Sequence, residues 1–171
     1  MLNRIAVDAN LAPAKAYEVD LAIVHLHHTA ATDLLLMDRN YPSYRMMAEL
    51  SHRQRAFVIR CTANSFNTAR QLAKGKGLAS QVVTLTPPDG QLADIRQRGL
   101  PEKITVRFVR VMLTTGEAEI LVTSLLDEHT YPSADFAELY RLRWGIETFY
   151  GILKTRLGLE NFTGQSVEAI K

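Results

Sequence analysis

The sequence predicts an α/β fold. Two short apolar runs carry the prediction: Asp33-Leu34-Leu35-Leu36-Met37-Asp38 and Ala56-Phe57-Val58-Ile59-Arg60-Cys61. Both have strand length and little alternation, the pattern of strands buried on both faces in a parallel layer. Between them, Asp-Arg-Asn-Tyr-Pro-Ser over 38–43 is turn chemistry, and Ser43 stands where it can cap a helix through Leu50. Strand, helix and strand at this spacing predict parallel neighbours.

The other elements follow in order. Residues 1–14 read as an irregular entry closed by Pro13, and apolar positions at Tyr17, Leu21, Val24 and Leu26 predict a helix within 14–28. The polar, Gly- and Lys-containing stretch 62–80 reads mostly as loop. Gln81–Thr86 is a strand, and Pro87-Pro88-Asp89-Gly90 is a turn. The β-rich run Ile104–Leu113 turns at Thr114-Thr115-Gly116-Glu117 and returns over Ala118–Ser124 as a hairpin. Ser133 is placed to cap a long helix running to about Leu157, with Asp135 in its first turn and Gly158 as its stop signal. Gly145 inside it costs about 1 kcal/mol against Ala.

Composition sets the broad class. Of 171 residues, 47% are hydrophobic and 22% charged, ordinary for a globular chain with a real core. No apolar run approaches the roughly 20 residues of a membrane span, and the first residues lack the apolar stretch of a signal peptide. The single cysteine, Cys61, has no internal disulfide partner and reads as a buried strand residue. Together these predict a cytoplasmic protein with no membrane association. The net charge of +2 conceals an uneven distribution. Residues 39–76 carry eight basic side chains (Arg39, Arg45, Arg53, Arg55, Arg60, Arg70, Lys74, Lys76) against Glu49 alone, a net of +7. A basic segment of this kind suits phosphate, although a solvated basic face has the same signature. His25, His27 and His28 read as a helix face rather than a metal site.

The last helix carries the chemistry. At about 100° per residue, Tyr140, Arg143, Glu147 and Lys154 fall near 0°, −60°, −20° and −40°, on one narrow stripe. Leu139, Leu142, Ile146, Phe149, Tyr150, Leu153 and Leu157 cluster on a separate face predicted to meet the core. Trp144 flanks the stripe, placed equally well to pack or to stack on a base. A carboxylate binds Mg²⁺ through oxygen, Arg and Lys nearby hold phosphates, and a phenol donates to a phosphate oxygen. The plain alternative is a solvated face with an Arg143–Glu147 pair, worth a few tenths of a kcal/mol.

These residues resemble a known family. Y-x₂-R-x₃-E-x₆-K is the signature of insertion-sequence-four-type DDE transposases, and Tyr140, Arg143, Glu147 and Lys154 match every fixed position. LLLMDRNYPS (34–43) is similar to that family's second-aspartate segment, and LYRLRWGIETFYGILKTRLGLENFTGQS (139–166) to its glutamate segment. With the β-rich stretch between them, the resemblance spans nearly the whole chain.

The resemblance implies a partial RNase H-like fold. Residues 1–61 would form the core, 62–132 a β-rich insertion, and 133–171 the catalytic helix of that core. It implies a set of two aspartates and a glutamate binding Mg²⁺ or Mn²⁺, with Asp38 and Glu147 carried over as catalytic, metal-binding members. Tyr140, Arg143 and Lys154 carry over as DNA contacts, and Arg39 and Trp144 join them as neighbours. The implied partners are double-stranded DNA, at transposon ends and at target, and a second copy of the intact enzyme as a homodimer. The implied activity is DNA strand cleavage and strand transfer. A carboxylate at the end of a buried strand is independently where ligand sites gather in open α/β sheets.

Two departures qualify the match. Asn40 stands where the family has Gly, and Asn is the next best residue for a left-handed turn. The family's first aspartate, counted back from Asp38, falls before Met1, and neither Asp8 nor Asp20 ends a convincing strand. This reads as a truncated core, expected to be inactive alone in a Mg²⁺- or Mn²⁺-dependent nicking assay. Two alternatives stand beside this reading: a catalytically inactive DNA-binding or structural remnant of a transposase, and another RNase H-like nuclease.

Overall fold

The computed structural model describes residues 8, 12, 13, 15–113, 115–145, 151 and 155, with Trp144 by its backbone alone. The described elements are α1 (Glu18–His25), β1 (Leu34–Met37), α2 (Tyr44–His52), β2 (Ala56–Cys61), α3 (Asn67–Ala73), β3 (Ser80–Leu85), α4 (Leu92–Gln97), β4 (Ile104–Met112), β5 (Ala118–Thr123) and α5 (Phe136–Arg141). The five strands make one sheet in the order β1-β2-β5-β4-β3. β1 and β2 are parallel, and every other pair is antiparallel. The strands of residues 80–123 therefore extend the same sheet that the two apolar runs begin. None of the described helices is long and apolar enough to cross a membrane.

The parallel pair depends on α2. Ser43 is its N-cap, and the Ser43 hydroxyl accepts from the Met46 N–H at 3.2 Å. Met46, Met47, Ala48 and Leu50 are good helix formers and fully buried. They lay the crossover onto the sheet, as a parallel connection requires. Gln54, just beyond the helix, takes a φ of 55° and turns the chain into β2.

β2 is covered on both faces, which explains its unbroken apolar run. Phe57, Ile59 and Cys61 pack in one cluster with residues of α1 to α4, while Val58 packs in a second with Phe136 and Tyr140 of α5. The sheet thus separates a four-helix layer from α5.

Two local expectations differ from the structure. Residues 67–73 form α3, where loop was expected, and 92–97, for which no element was expected, form α4. Ala69, Leu72 and Ile95 are fully buried, so tertiary packing fixes helices whose sequences are too short to signal themselves. Ser133 does not cap the last helix. Residues 133–135 and 142–144 are 3₁₀ turns flanking α5, and Pro132 precedes the first with no side-chain cap. Beyond Gly145, the predicted run to Leu157 lies outside the described residues except at Gly151 and Thr155.

The Ser133 hydroxyl is engaged elsewhere, by a buried arginine. Arg107, on β4, has no solvent exposure. It donates to the Ser80 hydroxyl at 2.6 Å, the Tyr131 carbonyl at 2.7 Å and the Ser133 hydroxyl at 2.8 Å. Glu128 lies 3.2 Å from the same guanidinium, which stacks over Phe136 at 5.3 Å. A buried charge is tolerated only when its donors are satisfied, and here each partner belongs to β3, to the loop before α5, or to α5 itself. Replacing Arg107 with Ala should cost about 3 kcal/mol of unfolding free energy, read from urea denaturation; a loss below 1 kcal/mol would contradict this account of the junction.

Cys61 is 5% exposed, and burial pushes its thiol up to about 12. The unfolded thiol releases its proton near pH 8.5, whereas the folded one keeps it. The stability this group contributes is full below about pH 8.5 and is lost as pH rises toward 12. Urea midpoints at pH 8 and pH 10 should fall further apart for the native sequence than for Cys61→Ala.

Candidate active site

The site begins where β1 ends. Asp38 follows Met37 directly and is half-buried. Its Oδ1 accepts from the Asn40 backbone N–H at 2.7 Å, and its carbonyl accepts from the Tyr41 N–H at 3.3 Å. The Asp38 carboxylate therefore holds its own turn. Asn40 does not adopt the left-handed conformation expected of it, since Gln54 is the positive-φ residue other than glycine among those described. The Asn40 side chain reaches Glu18 of α1 at 3.3 Å instead.

Beside Asp38 lies Arg60. Met37 is in register with Ile59, so the next position along β2 neighbours Asp38. Arg60 pairs at 2.8 Å with Glu119 of β5, whose side chain is 5% exposed against 33% for Arg60. The signal for this pair in the sequence is a lone arginine inside an otherwise apolar strand, which needs a partner.

From the other side comes α5. Tyr140 is 2% exposed, and its hydroxyl donates to the Met37 carbonyl at 3.1 Å. The Arg143 guanidinium lies 5.6 Å from the centre of the Tyr140 ring. Burial pushes the Tyr140 phenol up to about 12; Arg143 and Arg60 oppose the shift, while Glu119 and Asp38 add to it. One hydroxyl thus feels four charges, two of each sign, gathered at the ends of β1 and β2. The helix departs from the expected wheel only in part, since Leu139 packs against the cluster of Val58 and Phe136 as expected. Phe136, Tyr140 and Arg143 form the inward line, whereas Leu142 is 41% exposed.

The remaining expected residues divide plainly. Arg39 is exposed next to Asp38. Glu147 and Lys154 lie outside the described residues, as does the Trp144 side chain. Among the described residues no group of three or more His, Cys, Asp or Glu could hold a metal ion. Asp38 offers a hard oxygen donor at a partly open position, which fits Mg²⁺ or Mn²⁺, whereas Glu119 is committed to Arg60.

A mixed α/β sheet with a carboxylate at a strand end and an arginine-bearing helix docked beside it belongs to the class of α/β domains whose ligand sites gather at strand ends. The comparisons narrow the class. The sequence matches the family described as transposase DDE domain over residues 2–171, and the chain belongs to that family. Its fold is accordingly RNase H-like. The chain is similar to transposase InsG for insertion sequence element IS4 of Escherichia coli (strain K12), with 29% identity over 156 residues covering 89% of the chain. The match takes in 34% of that relative, so the chain spans about a third of its length. No solved structure matches.

The Arg60–Glu119 pair makes an asymmetric prediction. Removing Arg60 strands a buried carboxylate, while removing Glu119 leaves an arginine that still reaches water. Arg60→Met should therefore destabilise the chain by roughly 3 kcal/mol and Glu119→Gln by about 1 kcal/mol, compared by chemical denaturation at pH 7. Equal costs would count against the pair as described.

Proposed function

We propose that this chain contributes the catalytic core of a DNA transposase, performing metal-dependent strand cleavage and strand transfer at transposon ends. The observation that carries the reading is the docking of the motif helix onto the carboxylate-bearing strand. Tyr140 of the Y-x₂-R-x₃-E-x₆-K signature donates to the carbonyl of Met37, one residue before Asp38, and Arg143 of the signature lies over the Tyr140 ring. In this reading residues 1–61 and 133–171 belong to the RNase H-like core, and 62–132 is an insertion whose strands prolong the core's sheet.

Asp38 and Glu147 would hold Mg²⁺ or Mn²⁺. When bound, such ions supply the charge that activates a water or a 3′-hydroxyl and that stabilises the leaving oxygen. The protein's own work is positioning. The Asn40 N–H fixes one oxygen of Asp38, and Arg60 beside it offsets part of the negative charge when DNA approaches. Arg143, with Arg39 and Lys154, would hold phosphates of the double-stranded DNA partner. A homodimer would hold the two transposon ends.

The test uses the 171-residue chain. In Mn²⁺ titrations followed by paramagnetic broadening, signals at Asp38 and its turn should broaden first, and Asp38→Ala should abolish the effect. Duplex DNA binding should weaken with salt, and Arg143→Ala should lower the salt slope by about one. Mn²⁺ binding indifferent to Asp38→Ala would overturn the proposal.

A further inference from the structure

The family resemblance makes Tyr140 a DNA contact, yet its hydroxyl already has a partner inside the protein. That partner is the Met37 carbonyl, at 3.1 Å and 103 residues away in the chain. The ring is 2% exposed and packs in the cluster that includes Val58, Val109 and Leu121. The acceptor is not an arbitrary carbonyl. It ends β1, and the next residue is Asp38, whose own carboxylate and carbonyl close the following turn on Asn40 and Tyr41. On the helix side, Tyr140 lies one turn before Arg143, which covers its ring.

We infer that Tyr140 is a positioning residue, a latch whose hydroxyl fixes the motif helix to the last carbonyl of β1 and so sets where Asp38 stands relative to Arg143. Arg107 anchors the start of α5; one turn further on the helix rests on apolar packing, which is non-directional and lets it shift by fractions of an ångström at little cost. A hydrogen bond to one carbonyl removes this freedom. Active-site groups need tolerances of this order, which is why their supporting contacts are directional. The buried tyrosine of the signature then serves the geometry of the site, and the cations of the signature serve the ligand.

Tyr140→Phe deletes the oxygen and keeps the ring, so the fold is preserved while the latch is lost. In the isotopically labelled 171-residue chain, the Met37 carbonyl ¹³C resonance should shift. Amide exchange at residues 38–41 should accelerate about three- to tenfold, the range for one lost neutral hydrogen bond. Exchange in Phe57–Cys61 should stay as it was. A uniform acceleration across the sheet would reduce Tyr140 to a general stability contact and overturn the inference. Unchanged signals at 37–41 together with weakened duplex binding would also overturn it, in favour of a direct phosphate contact. The functional meaning of the latch rests on the reading of Asp38 as a metal-binding carboxylate. Mn²⁺ broadening in the unsubstituted chain tests that reading separately: its absence sinks the metal assignment, whereas the exchange pattern alone decides the latch.

Discussion

The placement of α5 over the sheet depends on a guanidinium sealed from water. Arg107 carries its charge into the interior of β4, and the only economical way to keep it there is to surround it with acceptors. Those acceptors come from Ser80 on a neighbouring strand and from Tyr131, Ser133 and Glu128 on the approach to α5. Satisfying one buried cation therefore dictates where the last helix begins and which of its sides meets the sheet. Phe136 is pinned beneath the same guanidinium, and Tyr140, one turn later, arrives at the end of β1.

This explains what the sequence made legible and what it hid. β2 and the β4–β5 hairpin were visible because buried strands rich in β-branched and aromatic residues write themselves as dense apolar runs; β1 was visible as a run of Leu and Met, although its residues at the edge of the sheet are only partly buried. α2 was visible because Ser43 announces it. α3 and α4 were not, since Asn67–Ala73 and Leu92–Gln97 are too short to hold themselves together and owe their winding to the burial of Leu72 and Ile95. The role of Ser133 was misread for a related reason. A serine before a helix has cap chemistry in isolation, but a long-range partner took its oxygen. In the candidate site, Asp38 and the signature residues were legible from pattern. The inward turn of Tyr140 was not, because a helical wheel ranks residues by hydrophobicity, and a tyrosine with a buried acceptor is worth more to the interior than Leu142. Arg60 and Glu119 escaped notice because their pairing crosses two strands whose adjacency only the tertiary fold reveals.

The electrostatics at the ends of β1 and β2 follow from the same arrangement. Asp38, Arg60, Glu119 and Arg143, two charges of each sign, act on one phenol, so their charges balance. Glu119 is the buried anchor, and Arg60, a third exposed, mediates between it and solvent. Such a cluster holds its charges in place before any ligand arrives, and pre-set charge is worth most where water is partly excluded.

The separation of Tyr140 from Met37 has a kinetic consequence. Their contact closes 103 residues, against 66 for the Thr123 hydroxyl and the Phe57 carbonyl. Chain entropy makes the longer closure the more expensive, and topology of this kind slows assembly. The sheet can nucleate from its hairpin and from local turns, but the corner holding Asp38 comes together only when the far end of the polypeptide has docked. Pairing the strands therefore does not by itself complete that corner, since the Met37 carbonyl meets its donor only through a helix 103 residues away.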